Sequence, residues 1–194
     1  MSWRACFCTA SGPTGFGPML FPGRVREAAL VSRELGFEGI EIAMRAPEEL
    51  ERRELEALLR ETGLELAALG SGRAFFDDGL ALTEPDEAGR AGAVARVAEL
   101  AGYAASFGVP LIIGLVRGKA PADGDLEAAL GRFVDSMREC AERTADRGGR
   151  FLVEAINRYE TPLLNTAADM EPFLREPLSE GWKPIFALPW IGQH

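Results

Sequence analysis

Histidine and lysine are nearly missing from this 194-residue chain: one histidine, His194, is the last residue, and the only lysines are Lys119 and Lys183. A lone terminal histidine cannot build a histidine-rich multi-metal centre. With 21 basic against 30 acidic residues and a formal net charge of −9, there is no cationic stripe to replace phosphate counterions, so nucleic acid is not an expected partner. Cysteine is scarce as well. Cys6, Cys8 and Cys140 are an odd count without a dense framework, which fits a reducing compartment and a cytoplasmic protein. Cys6 and Cys8 would share one face of a strand. A metal reading of C-x-C lacks a second Cys/His pair, so the thiols are expected to pack as small apolar core groups. The longest apolar run, Leu111-Ile-Ile-Gly-Leu-Val116, is far too short to span a bilayer, and Met1-Ser-Trp-Arg-Ala-Cys6 has no apolar signal core. No membrane partner is expected.

What remains is ordinary globular composition, 47% hydrophobic and 26% charged, enough for one substantial core. One unit recurs. A helix-like stretch ends near a glycine, and a short apolar run follows: Gly36 before Ile40-Glu-Ile42, Gly63 before Leu64–Leu69, Gly108 before Leu111-Ile-Ile113, Gly148 before Phe151-Leu-Val-Glu154 and, more weakly, Gly181 before Ile185–Leu188. Glycine supplies the left-handed residue that closes a helix, and the run after it has the length of a buried parallel strand. Each interval accommodates one strand, one loop and one helix. In the segment 86–107, Val94, Val97, Ala98, Ala101, Ala104 and Phe107 line one helical face. In 125–147, Leu126, Leu130, Phe133, Val134, Met137, Cys140 and Ala141 do the same, with Asp123 or Asp125 as N-cap. A first strand at about residues 3–9 completes the series.

The order βαβαβαβαβαβ with right-handed crossovers predicts a parallel sheet, either doubly wound and open or a (β/α)8 barrel. Gly15-Phe-Gly17 lacks the third glycine and the following helix of a dinucleotide fingerprint, and no phosphate-binding P-loop is present. The stretch 12–23 reads as a long surface loop. A barrel is therefore the predicted fold, with five βα units and a sixth strand present.

Three stretches then carry a resemblance: Gly72-Arg-Ala-Phe-Phe-Asp-Asp-Gly-Leu-Ala-Leu-Thr83, Ile112-Ile-Gly-Leu-Val-Arg-Gly118 and Glu154-Ala-Ile-Asn-Arg-Tyr-Glu-Thr161. They resemble the xylose isomerase-like TIM-barrel superfamily, in its sugar phosphate isomerase/epimerase group of ketose 3-epimerase and hydroxypyruvate isomerase relatives. The third is the most specific, since that group shows E-P-x-N-R-x-E there; Ala155 stands in place of the proline. The resemblance implies metal-assisted proton transfer alpha to a carbonyl, through an enediolate, on a sugar or sugar phosphate. It assigns Glu154 as metal ligand and acid/base, Glu160 as a substrate contact, and Arg117, Asn157 and Arg158 as further residues lining the pocket. It implies a divalent ion, Mn²⁺, Mg²⁺ or Co²⁺, held in the intact family by Glu, Asp, His and Glu from strands five to eight.

The residues themselves agree about Glu154. It closes an apolar run, so it sits at the C-terminal end of a strand, where barrel sites lie. An unpaired carboxylate there is costly, and a metal or an ion pair with Arg117 or Arg158 would relieve it. Glu41, between Ile40 and Ile42, is expected inside the barrel as an ion pair. Asp77 and Asp78 are expected in a solvated turn before Gly79, and Phe75 and Phe76 as packing residues. The other three metal ligands are missing: the sixth strand, 184–190, offers no Asp, with Pro189 and Trp190 near where it is needed, and His194 is terminal. The chain is therefore expected to be one barrel domain, 1–194, short of its last two to three βα units and truncated, with an atypical Trp- and Pro-rich tail over 177–194. It would not retain the ion and would be inactive alone, or would be a non-catalytic half-barrel acting as a binding or assembly module. Open sheet edges make a homo-oligomer the expected partner arrangement.

Overall fold

The structure is a computed structural model and describes residues 4–15, 17, 19–119, 124–166, 168–170 and, for the backbone alone, 185–187. Six strands form one parallel sheet in sequence order: β1 (Cys6–Ala10), β2 (Gly39–Ala43), β3 (Glu65–Gly70), β4 (Leu111–Ile113), β5 (Phe151–Glu154) and β6 (Ile185–Ala187). A doubly wound sheet reverses direction at its midpoint. This one never does, so it is the advancing wall of a barrel. The helices are α1 (Val25–Glu34), α2 (Arg52–Thr62), α3 (Gly72–Asp78), α4 (Glu87–Ala105) and α5 (Leu126–Thr144). Gly181 and the flanks of β6, with Trp182, Pro184, Pro189, Trp190 and His194, lie outside the described residues, as do Trp3 and Asp123.

The glycine punctuation holds. Gly36, Gly63, Gly108 and Gly148 all have positive φ between 67° and 83°, and Gly63 and Gly148 are left-handed caps after a helical turn. Asp86 and Asp125 cap α4 and α5, accepting from the backbone N–H of Gly89 and Ala128. Most of the predicted stripes bury as expected; Phe107, Leu130 and Val134 are half-buried against the core, and Leu126, the first residue of α5, is exposed.

The core fills the space between the sheet's outer face and the helices. Ile40, Ile42, Leu69, Leu111, Ile113, Phe151 and Val153 meet Ala28, Leu55, Val94, Val97, Leu100, Phe133 and Met137. The opposite, inner face is an open trough among the described residues. Cys6 and Cys8 are exposed there, and only Cys140 is buried. The expectation of three core thiols therefore fails for two of them: a strand's alternate side chains reach opposite faces, and the face that Cys6 and Cys8 take is the one a closed barrel would cover. The register slips between Ile40 and Glu41 opposite Leu66 and Ala68, which leaves Ala67 as a bulge residue and puts Ala68 opposite Glu41.

Candidate active site

The loops after the strands gather at one rim. The turn after β4, residues 115–117, is a short 3-10 helix, and the loop after β5 runs from Ala155 toward Met170. Glu154 is the last residue of β5 and half-buried. Its carboxyl is pushed above the ordinary value by burial and by the nearby Glu41, with Arg117 pulling it down and Glu160 raising it again. These neighbours act through space: no hydrogen bond or ion pair reaches Glu154 from the described residues. Gly114 makes room for it, since a Cβ there would stand 3.1 Å from Glu154 Oε2.

Glu160 and Asn157 are brought together. Asn157 Nδ2 donates to Glu160 Oε1, and Asn157 Oδ1 accepts from the Tyr159 N–H at 2.9 Å. Arg158 beside them is exposed. The sequence placed Arg117 on the pocket wall, but it is fully buried. Its Nε donates to the Gly114 carbonyl at 3.0 Å and its Nη1 to the carbonyls of Leu163 and Leu164, both at 3.1 Å. Leu164 there has φ +56°, a left-handed conformation unusual for a leucine. Arg117 thus ties the β5 loop to the β4 turn. Nη2 has no partner among the described residues, and burial pulls the guanidinium down to about 10, against the opposing charge of Glu154. Neither Arg117 nor Arg158 forms an ion pair with Glu154 among the described residues.

Glu41 differs from expectation too. No cation meets it among the described residues. Its Oε1 accepts from the Cys8 thiol at 3.5 Å, and burial pushes the carboxyl above its usual range. Asp77 and Asp78 are not in a solvated turn but in α3. Arg73, 2% exposed, reaches Glu49 at 2.5 Å and Asp77 at 2.8 Å, and Asp78 holds Arg45 at 2.6 Å and Arg96 at 3.0 Å. Ser11 Oγ donates to Glu49 at 2.5 Å, so this network clamps the rims of β1, β2 and β3. Burial works to raise the Glu49 carboxyl, but the hydrogen bonds from Ser11, Arg45 and Arg73 leave it lowered. Sequence reading missed Arg73 and Glu49. Only the i,i+4 spacing of Arg73 and Asp77 hinted at a pair. Phe75 packs against the core, while Phe76 is 48% exposed. Phe75, Thr83, Glu84 and Lys119 border a groove of about 290 Å³ on the same rim.

The divalent ion implied by the resemblance can be tested against these donors. Among the described residues, no three histidine, cysteine, aspartate or glutamate side chains are gathered to hold a metal ion. Glu154 offers one carboxylate, and burial and the nearby Glu41 raise its proton affinity. The described residues do not make that metal site, and no chemical step is derived through it.

A parallel sheet wound in one direction, with its polar groups at the C-terminal rim, defines the class of a TIM barrel. Residues 29–185 match the family model described as xylose isomerase-like TIM barrel, and the chain belongs to that family. Solved structures agree in fold. D-allulose 3-epimerase from Methylomonas sp. is 23% identical with a TM-score of 0.69, over 94% of this chain and 63% of that one. The 3-keto-D-glucoside 4-epimerase of E. coli is 20% identical with a TM-score of 0.70, over 95% and 68%. D-psicose 3-epimerase from Clostridium cellulolyticum H10 is 22% identical with a TM-score of 0.67, over 93% and 62%. The chain thus spans less than two thirds of the length of the first and third. No curated protein matches it.

Proposed function

We propose that this chain carries part of a sugar or sugar phosphate epimerase/isomerase site in which Glu154 moves a proton alpha to a carbonyl. The supporting observation is a half-buried carboxylate, without a hydrogen-bond or ion-pair partner among the described residues, at the C-terminal end of β5 and held toward its protonated form by burial and Glu41. A carboxylate so placed takes a proton from the carbon beside a ketone, leaving an enediolate, and returns it. Glu160, oriented by Asn157, accepts from sugar hydroxyls, and Arg158 donates to them. Arg117 holds the loop that presents all three. The named substrates of the structural neighbours, ketoses and a keto-glucoside, favour the same chemistry. Proton return to the opposite face needs a second positioned acid, and the described donors supply no metal site. The isolated chain is accordingly inactive and does not retain Mn²⁺, Mg²⁺ or Co²⁺.

The test is NMR of the labelled 194-residue chain with D-fructose, D-allulose and D-tagatose in D₂O with Mn²⁺. Sugar-dependent shifts at Asn157, Arg158 and Glu160, without deuterium entering the carbon next to the carbonyl, are the expected result. Absence of any sugar-induced shift there removes the sugar reading. Stoichiometric Mn²⁺ binding with deuterium exchange removes the claim of inactivity. A second reading, a non-catalytic half-barrel that binds or assembles, draws on the open inner trough around Cys6 and Cys8.

A further inference from the structure

Four consecutive strands place acid, glycine, glycine and acid on the trough side of the sheet. Ile40, Ile42, Leu69 and Val153 face the core, so the residues that alternate with them, Glu41 on β2, Gly70 on β3 and Glu154 on β5, face the trough. Gly114, just past the end of β4, joins them. A Cβ on Gly70 would stand 3.8 Å from Glu41 Oε1, and one on Gly114 would stand 3.1 Å from Glu154 Oε2. The acid of β2 therefore leans over β3, and the acid of β5 leans back over β4. They converge from either side on bare backbone, which leaves a hollow between them. The charge of Glu41 raises the Glu154 carboxyl, as two acids drawn toward each other must.

We propose that Glu41 is a second sugar-binding carboxylate, and that Glu41 and Glu154 together seat the unphosphorylated carbonyl end of a ketose over Gly70 and Gly114. This rests on the sugar reading of Glu154 and adds to it a residue and a substrate class. Three arguments carry it. Carboxylate oxygens accept from hydroxyl groups, and a ketose carries hydroxyls on both sides of its carbonyl. Glu41 has oxygen to spare: the Cys8 thiol donates to Oε1, and Oε2 has no hydrogen-bond partner among the described residues. An acid held in a half-buried position with no described cation beside it costs stability, and such costs gather at functional sites.

The same arrangement selects by charge. A phosphate group on the carbon next to the carbonyl would enter the hollow and face both carboxylates. The nearby guanidinium of Arg117 is fully buried and bound to three backbone carbonyls, so the phosphate gains no exposed cation in exchange. A phosphate at the far end of the sugar lies outside the hollow and meets neither acid.

The test is NMR titration of the labelled 194-residue chain with D-fructose, D-fructose 1-phosphate and D-fructose 6-phosphate. D-fructose and the 6-phosphate are expected to move the amides of Glu41, Gly70 and Gly114 together with those of Asn157 and Glu160, and the 1-phosphate to bind about tenfold more weakly or worse. E41A should weaken D-fructose binding by roughly tenfold. E41Q, which keeps the shape and removes the charge, should narrow the gap between D-fructose and its 1-phosphate, an effect that a purely structural role would not produce. G70A places a methyl group in the floor of the hollow at ordinary contact distance from Ala43 and Glu41, so it should fold and still weaken the sugar. Far-ultraviolet circular dichroism checks that each variant is folded. Shifts at Asn157 and Glu160 without shifts at Glu41, Gly70 and Gly114 overturn the seat and leave the sugar reading standing. Equal binding of D-fructose and the 1-phosphate, or a gap that E41Q leaves unchanged, also overturns it. Absence of shifts at all five residues removes the sugar reading and the seat with it.

Discussion

At the scale of single residues, the buried charges behave differently from those at the surface. Arg117 has no ion pair among the described residues and bonds three backbone carbonyls. Arg117→Met would strand those acceptors, each costing about 1–3 kcal/mol when buried and unpaired, partly offset by removing a buried cation. The expected net loss is about 2–4 kcal/mol in urea unfolding, with the loss of order centred on Leu163 and Leu164 in hydrogen exchange. Glu41 works in the opposite direction. Its folded-state carboxyl is raised by burial, so folding is favoured below its unfolded value, and that contribution disappears as pH rises through the folded one. Glu41→Gln should therefore stabilise the chain at pH 7 and leave little difference at pH 4. A stability gap that widens on acidification would contradict the assignment.

At the scale of elements, glycines that look alike in sequence divide by what surrounds them. Gly63 has φ +67° with nothing within 4 Å of a virtual Cβ, so Gly63→Ala meets only the left-handed backbone penalty, about 1 kcal/mol. Gly118 has φ +92°, and a Cβ there would lie 2.2 Å from Thr83 Oγ1 and 2.9 Å from Ala81 Cβ. Its carbonyl also accepts from Thr161 Oγ1 at 3.0 Å, so the β4 turn cannot retreat without releasing the β5 loop. Gly118→Ala is expected to cost about 3 kcal/mol or more, and thermal melts of the two variants should differ by many degrees. Asp86→Ala, removing the cap of α4, should cost about 1 kcal/mol. Equal melting points for the Gly63 and Gly118 variants would refute the contact argument.

At the scale of the whole molecule, β1 and β6 are the end strands of the sheet among the described residues, and an end strand offers unpaired backbone donors and acceptors. The exposed inner face adds to the surface left to cover. Light scattering across a concentration series is expected to show self-association, and a cooperative monomer with a high melting midpoint at every concentration would count against it. The barrel itself was legible in the chain because its signal is local: glycine stops, apolar runs of strand length and helical stripes recur in order, and the sheet followed them to β6. Glu154 was legible for the same reason, as an acid ending an apolar run. Arg73 and Glu49 were not, because their pairing joins α3 to the turn after β2 and depends on how those rims meet.

The sequence by itself determined the alternation of strands and helices, the parallel winding, and the acid at the end of β5, since each follows from neighbours along the chain. Only the tertiary structure decided which face of β1 meets water, and so turned Cys6 and Cys8 from core thiols into exposed ones. It also turned Arg117 from a pocket wall into a buried tie. Both outcomes depend on contacts across many residues, Cys8 with Glu41 and Arg117 with Leu163 and Leu164. A side chain's role is fixed by what folds against it, and periodicity along the chain cannot supply that partner.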